Sequence, residues 1–506
     1  MATNSRFTIT INPLDRIATI NPNLYGHFAE HLGRCIYDGA WVGENSLVSN
    51  TGGFRNDVIS AMRKLKPPVI RWPGGCFADD YHWQDGIGPR DQRPRRINIH
   101  WGEVIETNQV GTHEFVQFCR LVGAQPYFCG NVGSGTVREL RDWVEYCNFP
   151  GESSWAQQRS ANGSPEPFNV TYWGVGNENW GCGGNFSAED YCTEYRRFAS
   201  FMRGFGGRQL FLIACGPSGN NVDWTKRFTD KLGDHYGGFN NIHGFAAHYY
   251  CGTAGTATEY TTDQWYQLIA QGLQMEPLVV QQRAALDAFD PQRRIGLIVD
   301  EWGTWHPVEK GTNPAFLYQQ NTQRDALVAA TTLDIFNRHA DKVVMSNIAQ
   351  TINVLQAMIL TQDEKMLVTP AGYVYEMYAP HQGGQAVRSI VETDSVSFKR
   401  GDKEGALPLI AGSASLKDKA LFITLTNAHA SEEIEVMVNL LGSVSVKGCT
   451  ANVLAARSAS SAIHAHNTFE QPEALIPHPF VIYPTGSAFT VKMPPASVMT
   501  VHLDLD

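Results

Sequence analysis

The sequence contains no long hydrophobic segment and no excess of positive charge. Its apolar runs fall short of the ~20 residues that span a membrane, and the segment from Met1 to Phe7 carries no apolar signal core. We therefore expect no membrane partner and a cytoplasmic location. The formal net charge of −10 repels a phosphate backbone on average, which argues against nucleic acid as a partner.

Cysteine pairs with the spacing of metal fingers or redox motifs are also missing. The ten cysteines are scattered along the chain, and none belongs to a CxxC pair. In a cytoplasmic protein this pattern is typical of reduced, mostly buried thiols. We expect Cys76 and Cys182 to be inert, because the sequence places no base beside either of them.

Potential metal ligands are sparse as well. His27, Glu30, His31 and His248 are the candidates, but His27 and His31 have a helical spacing in a segment that we expect to be a strand. The spacing of four residues brings two side chains together on one turn of a helix, but it does not do so on a strand. The sequence accordingly predicts no metal and no cofactor.

The main fold signal is an alternation of short apolar runs with helix-like segments through residues 21–385 of the 506-residue chain. Alternating strands and helices favour parallel pairing through right-handed crossovers, and eight such units predict a (β/α)8 TIM barrel. A doubly wound open sheet is the alternative, but no GxGxxG motif follows the first strand. The predicted strands are 24–31, 69–75, 124–131, 169–178, 210–217, 244–250, 295–303 and 343–350, and predicted helices include 54–65, 112–122, 136–147, 188–205 and 325–338.

A second pattern covers residues 386–506. The apolar runs there are short and strand-like, including one over 407–415, and helical periodicity is scarce. This is typical of an antiparallel β-sandwich or jelly roll. Residues 1–20 alternate in the same way, so we expect these N-terminal strands to pair with the C-terminal sandwich. The predicted organisation is N-terminal strands 1–20, barrel 21–385 and sandwich 386–506.

Two glutamates end apolar runs in aromatic and amide surroundings. Glu178 follows Asn177 at the end of the fourth predicted strand, and Glu301 precedes Trp302 at the end of the seventh. Functional residues of such a barrel gather at the C-terminal ends of its strands. By this rule the same rim receives Glu30, Arg71, Cys76, His248, Tyr250 and Gln350.

A carboxylic acid and a carboxylate facing a cleft are the minimum equipment for cleaving a glycosidic bond. One protonates the leaving oxygen and the other attacks the anomeric carbon, with the groups about 5–5.5 Å apart in retaining enzymes. Taken alone, a Glu near a strand end is usually a solvated loop residue, and a single His is more often a hydrogen-bonded core residue. The shared position at one end of the predicted barrel favours the catalytic interpretation.

These residues lie in segments that resemble the α-L-arabinofuranosidases of glycoside hydrolase family 51. One of these segments, residues 173–184, contains a Gly-Asn-Glu element that many barrel glycosidases share. The whole segment through Gly184 is more specific to family 51 than that element. The similar segments are LYGHFAEHLGR at 24–34, IRWPGG at 70–75, WQDGIGP at 83–89, WGVGNENWGCGG at 173–184 and VDEWG at 299–303.

The resemblance implies a retaining hydrolase that releases terminal α-L-arabinofuranosyl residues from arabinose-containing oligosaccharides and polysaccharides. It implies Glu178 as acid/base, Glu301 as nucleophile and a homo-oligomer, which is a hexamer in many relatives. Where many relatives have Asn after the Pro-Gly-Gly turn, this chain has Cys76, a weakly polar thiol in place of an amide. The implied substrate-binding residues, beside Cys76, are Glu30, Arg71, Trp101, Asn177, His248, Tyr250, Trp302 and Gln350.

Two other functions compete with this one. An endo-β-1,4-glucanase or a β-xylosidase can occupy the same scaffold, with the loops after strands 2, 3 and 6 deciding between an open cleft and a closed pocket. A catalytically inactive carbohydrate-binding protein would be indicated by the loss of either glutamate. Both Glu178 and Glu301 are present, which argues against that second possibility.

Overall fold

The chain forms a barrel of alternating strands and helices and a β-sandwich. The computed structural model describes residues 7–234, 240–252, 254–442, 445–484 and 486–506. Within these ranges no helix is both long and apolar enough to cross a membrane.

Eight parallel strands close into a barrel in the order in which they follow one another along the chain. Each predicted barrel strand overlaps one of them, so the predicted (β/α)8 barrel is confirmed. Parallel neighbours need a long crossover, which the intervening helices provide. In chain order, barrel strands 1 to 8 are Gly26–Phe28, Val69–Trp72, Gln125–Gly130, Tyr172–Val175, Phe211–Ser218, Gly244–Cys251, Gly296–Thr304 and Val343–Ala349.

The period of two along a strand sorts side chains between the barrel interior and the helix layer. On barrel strand 2, Ile70 and Trp72 belong to the large core beneath the helices, where Trp72 stacks on Phe115 at 4.9 Å. Val69 belongs to a separate cluster with residues of five other barrel strands. Arg71 alternates with the outward pair and therefore points into the barrel.

Several of the helices begin at polar residues that cap them. The side chains of Thr136, Ser187 and Thr322 each accept a hydrogen bond from a backbone N–H of the first turn. The α-helices among the described residues are Asn56–Leu65, Thr112–Val122, Val137–Asn148, Ser154–Ala161, Ala188–Ala199, Val222–Gly233, Thr262–Gly272, Met275–Phe289, Gln323–Arg338 and Pro370–Tyr378.

Two of the predicted helices are shorter than expected. The helix predicted over 54–65 begins at Asn56, because Phe54–Arg55 pairs as a short strand with Asn50–Thr51. The helix predicted over 188–205 ends at Ala199, and the following segment is rich in glycine, a poor helix former.

A nine-stranded sheet forms the sandwich, and the N-terminal strand lies inside it. Thr8–Thr19 pairs antiparallel with Gln385–Glu392 and parallel with Ile434–Leu440, which confirms the expected association of the two chain ends. The two N-terminal strands expected from the sequence are one strand with an irregular register between Asn12 and Arg16. The remaining strands of this sheet are Ile410–Lys417, Ala420–Asn427, Val446–Leu454, His478–Phe480, Ala488–Met493 and Ser497–Leu505.

The single strand predicted over 407–415 is wrong. A hairpin of Ser395–Arg400 and Lys403–Pro408 ends at Pro408, and a new strand begins at Ile410 in the large sheet. Proline has no N–H to continue a ladder, which explains the break. Other two-stranded pairs are Arg96–Ile97 with Ile105–Glu106, and Ile359–Gln362 with Lys365–Val368.

One buried carboxyl group joins the barrel to the sandwich. Asp334, on the helix Gln323–Arg338, which is buried from Gln323 to Asn337, accepts hydrogen bonds from the hydroxyl groups of Ser413 and Thr424 in the sheet and from Tyr378. Burial raises the pKa of Asp334 to about 6. The three hydroxyl donors compensate the polar group that the interface encloses.

Replacing Asp334 by Ala should destabilise the folded protein by about 1–3 kcal/mol, because the hydroxyl groups of Ser413 and Thr424 lose an acceptor inside the interface. Urea unfolding followed by tryptophan fluorescence measures the change. Asp230→Ala, which alters an exposed Asp on the helix Val222–Gly233, is the matched control and should shift stability by less than about 0.5 kcal/mol. Equal effects of the two substitutions would contradict the assigned role of Asp334.

Candidate active site

A cleft of about 410 Å³ opens at the C-terminal ends of the barrel strands. Seven of the residues predicted for the rim line it, which agrees with the strand-end rule, and Trp101, which the family resemblance implies, lines it as well. Together they are Glu30, Cys76, Trp101, Glu178, His248, Tyr250, Glu301 and Gln350.

Glu178 occupies a turn that directs its side chain into the cleft. Barrel strand 4 ends at Val175, and Gly176 and Glu178 then adopt positive φ angles of 86° and 42°. The left-handed conformation costs a non-glycine residue roughly 1–2 kcal/mol, and such strain concentrates at functional sites. The Glu178 carboxylate accepts a hydrogen bond from His248 Nδ1 at 2.9 Å.

Glu301 is held more tightly and lies deeper. Arg71 Nη1 donates to its carboxylate at 2.7 Å, and the Tyr250 hydroxyl donates at 3.0 Å. Burial raises the pKa of Glu301, against the opposing effect of the His248 and Arg71 cations. The close fit leaves no room for a side chain at Gly75, where an added Cβ would lie 2.9 Å from Glu301 Oε1.

The two glutamates face each other across His248. One carboxylate oxygen of each lies within 4.8 Å of the other and of a His248 ring nitrogen. An oxygen–oxygen approach this close favours the shorter of the two spacings known for paired glycosidase carboxyl groups.

His248 is a buried cation surrounded by carboxylates. Its Nδ1 lies 2.9 Å from Glu178 and 3.5 Å from Glu301, and its Nε2 lies 2.8 Å from Asp300. Burial alone would lower the pKa of His248, but Glu301 and Asp300 outweigh it and raise the pKa to about 10. Burial likewise opposes ionisation of Asp300, yet Arg71 and His248 lower its pKa to about 2.

Glu30 lines the cleft near Glu301: a Cβ at Gly75 would lie 2.9 Å from Glu301 Oε1 and 3.4 Å from Glu30 Oε1. Its carboxylate accepts hydrogen bonds from Phe77 N at 3.1 Å, Trp101 Nε1 at 3.0 Å and Gln350 Nε2 at 3.1 Å. Burial, and then the negative charge of Glu301, raise the pKa of Glu30 to about 7. These contacts fix a carboxyl group that can accept hydrogen bonds from sugar hydroxyls.

Three predicted substrate-binding residues do not line the cleft. Arg71 and Asn177 lie beneath it, where Arg71 Nη2 donates to Asn177 Oδ1. Trp302 is 1% exposed, donates to Ser346 Oγ and packs edge-on against Phe336, so its predicted position beside the sugar is wrong. As the residue after Glu301 on an extended strand, it faces the helix layer. Trp180, Tyr249 and Trp305 line the cleft as aromatic walls instead.

Cys76 and Cys182 are not thiols. They form a disulfide with an S–S distance of 2.12 Å, whereas the other eight cysteines are free. The expectation of reduced thiols at these two positions is therefore wrong, because the loops after barrel strands 2 and 4 meet over the end of strand 3. The two sulfur atoms lie 4.0 and 3.7 Å from Glu178 Oε2, and as disulfide sulfurs they contact it without donating hydrogen bonds.

Sequence reasoning missed Asp79, which ties the loops of the site together. The Asp79 carboxylate accepts backbone hydrogen bonds from Val132 and Gly133 at 2.6 and 2.7 Å and from Asn177 at 2.8 Å. Burial raises the pKa of Asp79 to about 7. Asp79 lies three residues after Cys76, in the segment that follows barrel strand 2, and the strand-end rule applied to this segment could have identified it.

Asp300 was also missed, although it directly precedes Glu301. Its carboxylate accepts a hydrogen bond from the Tyr127 hydroxyl at 2.8 Å in addition to its contact with His248. Irregular pairing of barrel strand 7 with strand 8 between Val299 and Trp302 allows two consecutive acids to serve the same site.

The residues considered as metal ligands do not meet. His31 Nδ1 lies 2.8 Å from Glu106, and His31 Nε2 accepts a hydrogen bond from Trp72. The His27 ring lies against Tyr375 at 4.8 Å, away from His248. Burial lowers the pKa of His27 to about 3.

A (β/α)8 barrel whose strand ends present two carboxyl groups at this distance defines the class of barrel glycoside hydrolases. Family models describe the matching regions as "Alpha-L-arabinofuranosidase 1 domain" at residues 61–261 and "Alpha-L-arabinofuranosidase C-terminal domain" at residues 300–497. The chain belongs to the α-L-arabinofuranosidases of glycoside hydrolase family 51, and it is therefore an arabinofuranosidase.

Individual relatives support this assignment over nearly the whole chain. The "Intracellular exo-alpha-L-arabinofuranosidase" of Bacteroides ovatus is 41% identical over 98% of this chain and 95% of its own length. The crystal structure of the GH51 arabinofuranosidase from Xanthomonas axonopodis pv. citri has a TM-score of 0.93 at 40% identity, covering 98% of this chain and all 100% of that chain. The arabinose complex of the Thermotoga maritima enzyme has a TM-score of 0.87 at 30% identity, with the same coverage of 98% and 100%.

Replacing His248 by Gln should destabilise the protein by about 3–5 kcal/mol near neutral pH, because three carboxylates lose a buried cation. The pKa of His248 is about 10 in the folded state and 6.5 in the unfolded state, so the folded state binds more protons between these values. The stabilisation is complete below pH 6.5 and is lost as the pH rises through 10.

Urea unfolding of both proteins at several pH values between these limits measures the difference. We expect the stability gap to narrow as the pH rises. His478→Gln, at an exposed position of the sheet, is the control and should show no such trend. A gap that widens with pH would contradict the assigned charge of His248.

Proposed function

We propose that the enzyme releases terminal non-reducing α-L-arabinofuranosyl residues by double displacement with retention of configuration. In the first step Glu178 protonates the leaving oxygen while Glu301 attacks the anomeric carbon to form a glycosyl-enzyme. In the second step Glu178 takes a proton from water, which displaces Glu301. The approach of the two carboxylates to within 4.8 Å carries this proposal, because an inverting pair stands about 6.5–9.5 Å apart.

The surroundings of the two acids support the assignment of their roles. The Glu301 side chain is 6% exposed and is fixed by Arg71 and Tyr250, which suits an oriented nucleophile, and the Arg71 and His248 cations oppose the rise in its pKa that burial causes. The Glu178 side chain is 19% exposed and lies on the rim, where a leaving group departs and water enters. The His248 cation contacts both carboxylates and limits their mutual repulsion.

The cleft offers donors and acceptors for one furanose ring. Glu30 and Gln350 present polar groups to the cleft near Glu301, and Trp101 lies beside Glu30. Trp180 and Trp305 provide flat apolar faces of the kind that pack against sugars. A small site of about 410 Å³ suits removal of single terminal residues from arabinose-containing oligosaccharides and polysaccharides.

The location, mode of action and oligomeric state of the enzyme are proposed from its relatives. The Bacteroides ovatus relative is named an intracellular exo-acting enzyme, and we propose the same location and mode of action for this chain. The homo-oligomer, a hexamer by family resemblance, stays a prediction that sedimentation or light scattering can test. A panel of arabinan, arabinoxylan, glucan and xylan oligosaccharides separates the arabinofuranosidase from the endo-glucanase or β-xylosidase alternative.

Glu301→Ala should reduce hydrolysis of an aryl α-L-arabinofuranoside by at least about 10⁴-fold, because no group remains to attack the anomeric carbon. Azide, which fits the space left by the carboxylate, should restore turnover and give a glycosyl azide of inverted configuration, detectable by NMR. Glu259→Gln, at an exposed loop position, is the control and should retain activity. Unchanged hydrolysis by Glu301→Ala would refute the assignment.

Glu178→Gln should lower kcat/KM more strongly for substrates with poorer leaving groups. A dinitrophenyl arabinofuranoside needs little protonation and should lose least, whereas an arabino-oligosaccharide should lose about 10²–10⁴-fold in kcat/KM. Steady-state kinetics across a series of aryl leaving groups measures this slope. A uniform loss across the series would contradict proton transfer by Glu178.

A further inference from the structure

The Cys76–Cys182 disulfide lies directly against the carboxylate that we assign as acid/base. Cys76 begins the short helical turn after barrel strand 2, and Cys182 lies in the loop after barrel strand 4. Both sulfurs and a Glu178 oxygen lie within 4.8 Å of one another. Both side chains are partly exposed, and Cys76 lines the cleft, so small reagents reach the bond from the substrate side.

The two loops do not depend on the disulfide for their positions. Phe77 N donates to Glu30, and Ala78 N donates to Gly75 O at 3.0 Å, which fixes the turn that carries Cys76. On the other side, Gly181 N donates to Glu178 O at 2.7 Å, and Asn179 Nδ2 donates to Gly183 O at 2.7 Å. Opening the disulfide therefore leaves two thiols close to Glu178.

Two thiolates and a carboxylate are ligands that Zn²⁺ prefers. With Zn–S bonds of about 2.3 Å in tetrahedral geometry, two cysteine sulfurs stand about 3.8 Å apart. The Cα atoms of Cys76 and Cys182 are 5.5 Å apart, so this sulfur spacing requires only side-chain rotation. Glu178 Oε2 supplies a third ligand, and the cleft leaves the fourth position to water.

The local charge also suits a divalent cation. The groups facing this corner are the carboxylates of Glu178, Glu301 and Asp300 and the cations of Arg71 and His248. These groups carry three negative and two positive charges before the thiols ionise, and the buried carboxyl groups of Glu30 and Asp79, whose pKa values are raised to about 7, lie against the same two loops and add negative charge when ionised. Loss of two thiol protons on metal binding adds two more negative charges.

We propose that reduction of the Cys76–Cys182 disulfide creates a zinc site with Glu178, and that zinc bound there stops catalysis by occupying the acid/base carboxylate. In its oxidised form the pair cannot bind zinc, and Glu178 is free to transfer protons. The inhibitory effect rests on the proposed role of Glu178, whereas the zinc site does not. No other cysteine pair among the described residues forms such a cluster with a carboxylate.

The opening step is a two-electron reduction. A cellular dithiol attacks one sulfur, passes through a mixed disulfide and leaves as a cyclic disulfide, so that its two electrons and two protons end on Cys76 and Cys182. In the experiment a trialkylphosphine is the reductant, because a dithiol would itself bind zinc. The phosphine becomes a phosphine oxide with oxygen from water, and the two protons of that water complete the thiols.

The test compares oxidised and phosphine-reduced enzyme under argon, each titrated with ZnCl₂. Metal content after gel filtration and the initial rate on an arabino-oligosaccharide are the two readouts. We expect one additional zinc per chain in the reduced enzyme only, at least a tenfold loss of rate, and recovery of the rate with a chelator. Cd²⁺ should add a thiolate charge-transfer absorption band in the reduced enzyme only.

Matched variants make the outcomes decisive. Cys449→Ser alters a partly exposed free cysteine on the sheet and should respond to zinc like the parent. Cys182→Ser, in which no disulfide can form, should lose the additional zinc and the cadmium band in either redox state. Equal zinc uptake by reduced parent and Cys182→Ser would overturn the site.

Failure of the mechanism and failure of the zinc site give different results. Zinc bound by the reduced parent with an unchanged rate would overturn the inhibition and count against Glu178 as acid/base. Absence of the additional zinc, together with the expected leaving-group dependence of Glu178→Gln, would overturn the zinc site and leave the proposed mechanism standing.

Discussion

The site depends on one constraint, which is that two carboxylates must approach closely in a mostly buried site. Like charges within 4.8 Å repel strongly where the dielectric constant is low. The Arg71 guanidinium and the His248 imidazolium compensate this repulsion, and both are buried and in contact with Glu301. A buried ion cluster of this kind contributes little net stability, and its value lies in orientation and charge.

This constraint explains why the groups come from four barrel strands. Arg71 is on strand 2, Glu178 follows strand 4, His248 is on strand 6, and Glu301 is on strand 7. The barrel brings these strand ends to one rim, where no single loop could present four charges in fixed directions. Asp300 and Asp79 then hold His248 and the Asn177 backbone, so that the reacting groups rest on a second layer of hydrogen bonds.

Much of this arrangement could be predicted because it follows from periodicity and strand ends. The alternation of apolar runs gave the barrel strands, and the strand-end rule gave Glu178 and Glu301. The resemblance implies a position beside the sugar for Trp302, but its side chain is buried against Phe336 of the helix layer. Asp300 could not be assigned from the period, because the irregular register near Val299 breaks the alternation.

Pairing between distant loops is the part that a single sequence does not reveal. Cys76 and Cys182 are separated by 106 residues, and their spacing matches no motif. Only the course of two loops across the end of an intervening strand brings the sulfurs together. The sequence therefore predicts a sugar contact at Cys76 and inert thiols at Cys76 and Cys182, although the two residues are bonded to each other.

In the mechanism proposed above, the two acids have different tasks, and the position of the disulfide is consistent with them. The nucleophile must keep its charge and direction, so Glu301 is enclosed by Arg71, Tyr250 and His248. The acid/base must meet a departing alcohol and then water, so Glu178 stands on the rim with 19% of its side chain exposed. A rim carboxylate needs a wall that neither competes for its proton nor repels it, and a disulfide, which has no proton to give and no charge, satisfies both conditions. Because Cys76 lines the cleft and both cysteines are partly exposed, the same position also exposes the disulfide to a reductant that enters with the substrate.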